Sequence, residues 1–304
     1  MPDDTLPEIR SGNYADLGEG IRLHYASAGE QGAPLMLFMH GFPEFWYAWK
    51  DFLPHYGRHR FAVAPDLRGY NLSSRPAEVE QYRIGRLIDD IDKLIKALGY
   101  RDAIVVAHDW GGALAWSVAI SRPELISRLV MMNAPHPIPF ARALATDPAQ
   151  QAASQYMNWL RRPGSEDALA ADDFTLMQKF LRGFSGADWL DGPTLAAYKE
   201  AWGQPGAIRG GVNWYRASPM YPPTDADPGA GRLELREEDF IVPMPTLLIW
   251  GEQDQALLPV LLDGIERVVP DLRMVRIPDA THWLAHEKPA QIRAAIDEFL
   301  GDAP

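Results

Sequence analysis

The chain contains no cysteine among its 304 residues. That excludes a disulfide framework, a thiolate nucleophile and cysteine-ligated metal. It also lacks basic excess: 29 lysines and arginines stand against 41 aspartates and glutamates, a formal net charge of −12. Such a surface repels phosphate backbones, and no basic run offsets it, so nucleic acid is not an expected partner. No apolar run approaches the roughly 20 residues that a membrane-spanning helix needs. The opening MPDDTLPEIR lacks the basic region and apolar stretch of a secretory signal. The expectation is a soluble cytoplasmic protein with no membrane span and no metal or other cofactor. A homodimer is compatible with all of this.

Hydrophobic residues make up 47% of the chain and charged residues 23%, as in an ordinary globular protein. The length suits one core carrying an inserted subdomain. Residues Asn13–Leu17 and Ile21–Ser27 flank a Gly-Glu-Gly turn and predict an opening hairpin. Six short apolar runs follow, at Leu35–Met39, Arg60–Ala64, Ala103–Ala107, Ser127–Met132, Pro245–Trp250 and Leu272–Ile277. They are continuous rather than alternating, the pattern of strands buried on both faces of a parallel sheet. Between them, Tyr82–Leu98 repeats apolar residues with a helical period, as does Ala290–Leu300. The alternation predicts an α/β architecture: a mostly parallel central sheet with helices on both faces. It stops between about Pro137 and Arg236, a stretch rich in aromatics that include Tyr156, Trp159, Phe184, Trp189, Trp214 and Tyr215. This stretch predicts an inserted helical cap over residues 137–236, between a first part of the core at 1–136 and a second at 237–304.

Four motifs fall at the ends of apolar runs. Ala107-His108-Asp109-Trp110-Gly111 joins a strand to a helix with small residues two before and two after Asp109. A nucleophile elbow requires that spacing, because its turn is tight and the helix packs close to the strand. The alternative for Asp109 is an ordinary helix N-cap. His40-Gly41-Phe42-Pro43 is either a strand-ending turn or the source of an oxyanion-hole N–H at Phe42, with Trp110 supplying the second N–H. Asp254 follows the fifth of the six runs and His282 the sixth, so the chain order is nucleophile, acid, histidine, as an α/β-hydrolase triad requires. The triad read from this order is Asp109, Asp254 and His282. His282 and His286 are four apart, but HWLAH lacks the glutamate of a zinc-protease helix. His24, His55 and His59 sit in no motif and are expected at the surface; His136 receives no role.

The segments HGFPEFWYAW, DLRGYNLSSRP, AHDWGG, WGEQD and ATHWLAHEKP resemble the soluble epoxide hydrolases of the α/β-hydrolase fold superfamily, over nearly the whole chain. The resemblance implies two cap tyrosines over the nucleophile. Asn213-Trp214-Tyr215-Arg216 is similar to the motif that carries one, and Tyr156, shortly before a Pro-Gly, takes the place of the other. Either could equally be a half-buried aromatic with a satisfied hydroxyl.

The chemistry fits these residue types. A carboxylate that attacks a saturated carbon forms an ester, which water cleaves; a serine would form an ether, which it cannot. The resemblance therefore implies an epoxide and water as substrates, a vicinal diol as product, and an alkyl ester on Asp109 as intermediate. The same triad serves haloalkane and haloacid dehalogenases. Haloalkane dehalogenases resemble this chain at Trp110 but usually carry Asn, Glu or Gln where Phe42 stands. Fluoroacetate dehalogenases carry Arg where Trp110 stands and His near Tyr156. A non-catalytic ligand-binding protein on the same scaffold is the third reading, against which the intact triad counts.

Overall fold

The computed structural model describes residues 6–183 and 189–302. Phe184 and the first five residues of the opening segment lie outside them. Strands β1 (Arg10–Asp16) and β2 (Arg22–Ala28) form the expected antiparallel hairpin. β3 (Leu35–Met39), β4 (Phe61–Pro65), β5 (Ala103–His108), β6 (Ile126–Met132), β7 (Thr246–Gly251) and β8 (Leu272–Ile277) join it in one eight-stranded sheet. The order is β1-β2-β4-β3-β5-β6-β7-β8. β2 runs antiparallel to β4, and every pairing from β4 to β8 is parallel.

Burial on both faces explains the continuous apolar runs. Every residue of β3, β4 and β7 is buried. Along β3 the side chains alternate between two apolar clusters. Leu35, Leu37 and Met39 join the cluster that also holds Leu94 of α1 (Ile84–Ala97) and Leu114 of α2 (Asp109–Ser121). Met36 and Phe38 join the other, with Ile292, Ile296 and Phe299 of the C-terminal helix (Pro289–Leu300). Each such side chain contributes about 1.5–3 kcal/mol by leaving water. β8 departs from the expectation. It is the last strand of the sheet, and Arg273, Met274 and Arg276 are exposed on it. Its two arginines are the mark of an edge strand that discourages pairing with another chain.

The chain between β6 and β7 is mostly helical. It includes α3 (Pro137–Thr146), α4 (Gln155–Leu160), α5 (Ser165–Gly183, interrupted at Ala171–Phe174), α6 (Gly192–Trp202) and α7 (Ala207–Ala217). Local chemistry starts these helices: Asp191 caps α6 by accepting from the Thr194 N–H at 2.8 Å, with Pro193 in its first turn. Among the described residues, no helix is long and apolar enough to cross a membrane.

Two polar networks tie the strand-end loops together. His24, expected at the surface, is buried on β2. Its Nδ1 donates to Asp66 Oδ2 at 2.6 Å, and its Nε2 accepts from the Gly12 N–H at 3.0 Å. Asp66 also accepts from the Trp46 N–H and the Asn71 amide, which anchors the loop after β4. His55 instead reaches Asp297 at 2.9 Å, and His59 is exposed as expected. The second network is the buried pair Arg68–Asp90, a two-point contact at 2.6 and 2.7 Å. Burial raises the Asp90 pKa against the opposing pull of Arg68. Removing Arg68 strands a buried carboxylate. Arg68→Ala should cost about 3–5 kcal/mol of stability by urea unfolding, and Arg68→Met/Asp90→Leu should recover most of that loss. A cost near zero for Arg68→Ala would show that the pair is not structural.

Candidate active site

Because β3, β5, β6, β7 and β8 are parallel, the segments that follow them meet at one edge of the sheet, where α/β proteins place their ligands. Asp109 lies there on a sharp turn from β5 into α2, with a backbone φ of +49°. That left-handed conformation is uncommon for a residue with a side chain and belongs to a strained strand-to-helix turn, not to a helix N-cap. Its neighbours allow the turn by being small. A Cβ on Gly111 would stand 2.6 Å from the Met39 carbonyl carbon, and one on Gly41 would stand 2.7 Å from Asp109 Cγ. The second contact brings the loop after β3 directly onto the carboxylate.

The loop uses that closeness to hold Asp109. The Phe42 N–H donates to Asp109 Oδ1 at 2.7 Å. The Trp110 N–H belongs to the first turn of α2, whose amides have no partner within the helix. The other carboxylate oxygen, Oδ2, lies 3.6 Å from His282 Nε2. His282 Nδ1 is 2.7 Å from Asp254 Oδ2. Asp254 is fixed in turn: Oδ1 accepts from the N–H groups of Ala256 and Leu257 at 2.8 and 2.9 Å, and Oδ2 from the Asn133 amide at 2.6 Å. The three residues read from motif order therefore stand in one line.

Electrostatics couples them. Burial alone would lower the His282 pKa, but the charge of Asp254, hydrogen bonds to Asp109 and Asp254, and the charge of Asp109 raise it to about 10. Burial alone would raise that of Asp109, but the hydrogen bond and charge of His282, the charge of His108 and the Phe42 N–H hold it below the usual carboxylate value. The resting pair is an imidazolium beside a carboxylate.

Asp109 opens into a cavity of about 540 Å³ with mostly apolar walls, including Trp110, Phe140, Met157, Trp214, Leu235 and Phe240. Tyr156 of α4 and Tyr215 of α7 line it with Asp109. Their rings stand edge-on to each other with centroids 6.2 Å apart, and the Trp110 ring packs edge-on against Tyr215 at 4.9 Å. Both hydroxyls are held well above the ordinary tyrosine pKa. Burial is the main cause for each; the Asp109 charge comes next for Tyr156, and the Tyr156 and Asp109 charges for Tyr215. At neutral pH both carry their protons.

Sequence reasoning missed the support of this site. Asn133, directly after β6, sits at the same strand edge; its Oδ1 accepts from the Gly251 N–H while its amide holds Asp254. Its place after an apolar run was the available signal. A buried group lies behind His282: His108 Nε2 donates to the His282 carbonyl at 2.8 Å, and its Nδ1 faces Glu44 Oε2 at 3.2 Å. Glu44 Oε1 meets His286 at 2.6 Å and accepts from Tyr198 of α6 at 2.8 Å. Burial opposes the Glu44 charge, but His286 and His108 keep its carboxyl well below the usual range. His286 thus belongs to this network. His136 is also buried, with its ring between the Ile138 N–H and the Phe240 carbonyl.

The His282 value depends on a charge 3.6 Å away, so it should fall when that charge is removed. Two unit charges 4 Å apart interact by about 4 kcal/mol near a protein surface, enough for a large displacement. In Asp109→Asn the His282 imidazole should titrate well below its value of about 10 in the parent protein, read by NMR. An unchanged titration would mean that Asp254 alone sets it.

The chain matches the model of the alpha/beta hydrolase fold over residues 34–289. It is 37% identical over 283 residues to an AB hydrolase superfamily protein of Bacillus subtilis, covering 92% of this chain and 95% of that protein. It is 34% identical to Epoxide hydrolase 4 of Mus musculus, covering 92% and 77% respectively. Among solved structures, an epoxide hydrolase of Bacillus megaterium in complex with an inhibitor superposes with a TM-score of 0.87 at 34% identity, covering 95% of this chain and all of that one. The chain belongs to the α/β-hydrolase fold family, on the branch that holds these epoxide hydrolases.

Proposed function

We propose that the protein is an epoxide hydrolase that converts an epoxide and water to a vicinal diol through an alkyl ester on Asp109. The observation that carries this reading is that two tyrosines, Tyr156 and Tyr215, packed edge-on to each other, line one cavity with Asp109. An epoxide oxygen stays tethered to the substrate and becomes an alkoxide as the ring opens, so it needs a proton donor; a departing halide needs none. The relatives' names point the same way.

In the proposed cycle the segment 137–236 acts as a cap that carries the two tyrosines. Asp109 attacks one epoxide carbon, the ring C–O bond breaks, and a tyrosine gives its proton to the oxygen. Ester formation removes the Asp109 charge, which favoured the imidazolium of His282 and opposed tyrosine ionisation. Both pKa values therefore fall together. The tyrosinate regains a proton at the expense of His282. Neutral His282, oriented by Asp254, then takes a proton from water. The hydroxide attacks the ester carbonyl, whose oxyanion accepts from the N–H groups of Phe42 and Trp110. Collapse breaks the ester bond to the substrate oxygen, the departing alkoxide takes the proton of the newly added hydroxyl, and the diol leaves as the Asp109 carboxylate is regenerated.

With His282→Gln, ester formation should survive and hydrolysis should stall. Intact mass after mixing with styrene oxide or a similar epoxide that the parent enzyme turns over should show one adduct, mapped to Asp109; an adduct elsewhere, or none, would contradict the covalent route. A separate test addresses the acids. Loss of one hydrogen bond to a developing charge costs about 10²–10³-fold in rate. Because the two hydroxyls share one oxygen, single Tyr→Phe variants should lose less than that, and Tyr156→Phe/Tyr215→Phe far more than either. A double variant that opens epoxides at the parent rate would reduce the tyrosines to packing. Halide release from haloalkanes with every epoxide left intact would replace this function with dehalogenation.

A further inference from the structure

Helix α7 carries Tyr215, and the helix rests on the core through its backbone. Gly210 and Trp214, four residues apart, share one face. A Cβ on Gly210 would stand 2.6 Å from Gly69 Cα, and one on Gly69 would stand 2.9 Å from the Gly210 carbonyl carbon. Gly69 also has a φ of +96°, which side chains rarely adopt. The atoms nearest a Cβ on Gly210 are all Gly69 backbone, with no side chain that could bend aside, while a Cβ on Gly69 would also meet the Tyr82 ring at 2.7 Å. On the same face, the Trp214 indole donates to the Arg68 carbonyl at 2.8 Å. Gly211 and Tyr215 form the adjoining face. A Cβ on Gly211 would stand 3.0 Å from the Phe42 ring, and the Tyr215 ring packs edge-on against Phe42 and Trp110, with centroids 5.3 and 4.9 Å away. The loop that seats α7 is the one anchored by Asp66 and by the Arg68–Asp90 pair.

We propose that the Gly69–Gly210 contact is a positioning device for ring opening. It sets the height of the Tyr215 hydroxyl above Asp109 and has no part in ester hydrolysis, which runs on His282 and the core amides. This rests on the epoxide-opening reading above. An ordinary contact begins near 3.4 Å, and the nearest atom to a Cβ on Gly210 is the Gly69 carbonyl oxygen, so a methyl group there must lift α7 by about an ångström. A displacement of about 1 Å can cost on the order of 10²-fold in rate. Alanine is also the better helix former by about 1 kcal/mol, so a loss of rate would not come from a weakened helix.

The test separates the two half-reactions in single turnovers with styrene oxide, following ester formation and ester decay by rapid quench and intact mass. Gly210→Ala should slow ester formation by about 10–100-fold and leave decay within about twofold of the parent. In a Tyr215→Phe background, where there is no hydroxyl to position, the same substitution should change ester formation by less than about twofold. Equal slowing of both steps, or an equal cost in both backgrounds, overturns the proposal. If Gly210→Ala does not fold by circular dichroism, Trp214→Phe reads the same seat by removing the bond to the Arg68 carbonyl. It should slow ester formation several-fold and spare decay, and an effect shared by both steps again overturns the proposal. If the parent forms no ester, the epoxide-opening reading itself falls and the seat falls with it; if Tyr215→Phe forms the ester at the parent rate, Tyr156 carries the proton transfer and the seat alone falls. If both controls hold and the split is missing, the seat alone falls.

Discussion

The carboxylate of Asp109 is a negative charge held at the bottom of an apolar cavity, and the surrounding groups are arranged around it. The Phe42 N–H binds one oxygen and His282 faces the other. Its field favours the imidazolium of His282 and adds to the burial that raises the pKa values of Tyr156 and Tyr215. A buried charge of this kind is costly unless it is compensated. Here the compensation comes from groups that the proposed reaction uses next. Turning Asp109 into a neutral ester would release a base and strengthen two acids in one event, with no movement of the chain required.

Holding that charge in place takes much of the architecture. The strained turn at Asp109 exists because Gly41 and Gly111 leave room for it. Asp254 is fixed by two main-chain amides and by Asn133. The main chain of His282 is fixed by His108, itself tied to Glu44, His286 and Tyr198. Tyr198 comes from the segment inserted between β6 and β7, as do Tyr156 and Tyr215. That segment therefore meets the core on two sides of the triad: through Glu44 behind it and through Gly69 and Arg68 beside it.

Much of this was legible in the sequence because parallel sheets are buried on both faces, which makes their strands continuous apolar runs, and because the fold places its chemistry where those runs end. Asp109, Asp254 and His282 could be placed by order alone. β8 was legible as a strand but not as an edge, since its apolar residues outweighed Arg273 and Arg276 in the pattern. His24 was misjudged because a single histidine carries no period; its partners Asp66 and Gly12 are distant in sequence and meet it only through strand pairing. Asn133 and His108 escaped for the same reason: they touch Asp254 and His282 through contacts that the fold creates, and Glu44 reaches His282 only through His108. The seat of α7 was hidden too, because a glycine pair in a helix resembles a weak point until the opposing backbone is seen.

The most direct measurement of the central claim is the fate of isotopic oxygen in a single turnover, with enzyme in excess over epoxide in heavy-oxygen water. If Asp109 is the nucleophile and water attacks its ester carbonyl, the first diol takes its new oxygen from the carboxylate. Label then enters Asp109 and is absent from that diol. Label in the first diol, with Asp109 unlabelled, would mean that water attacks the epoxide directly and that the carboxylate is only a general base.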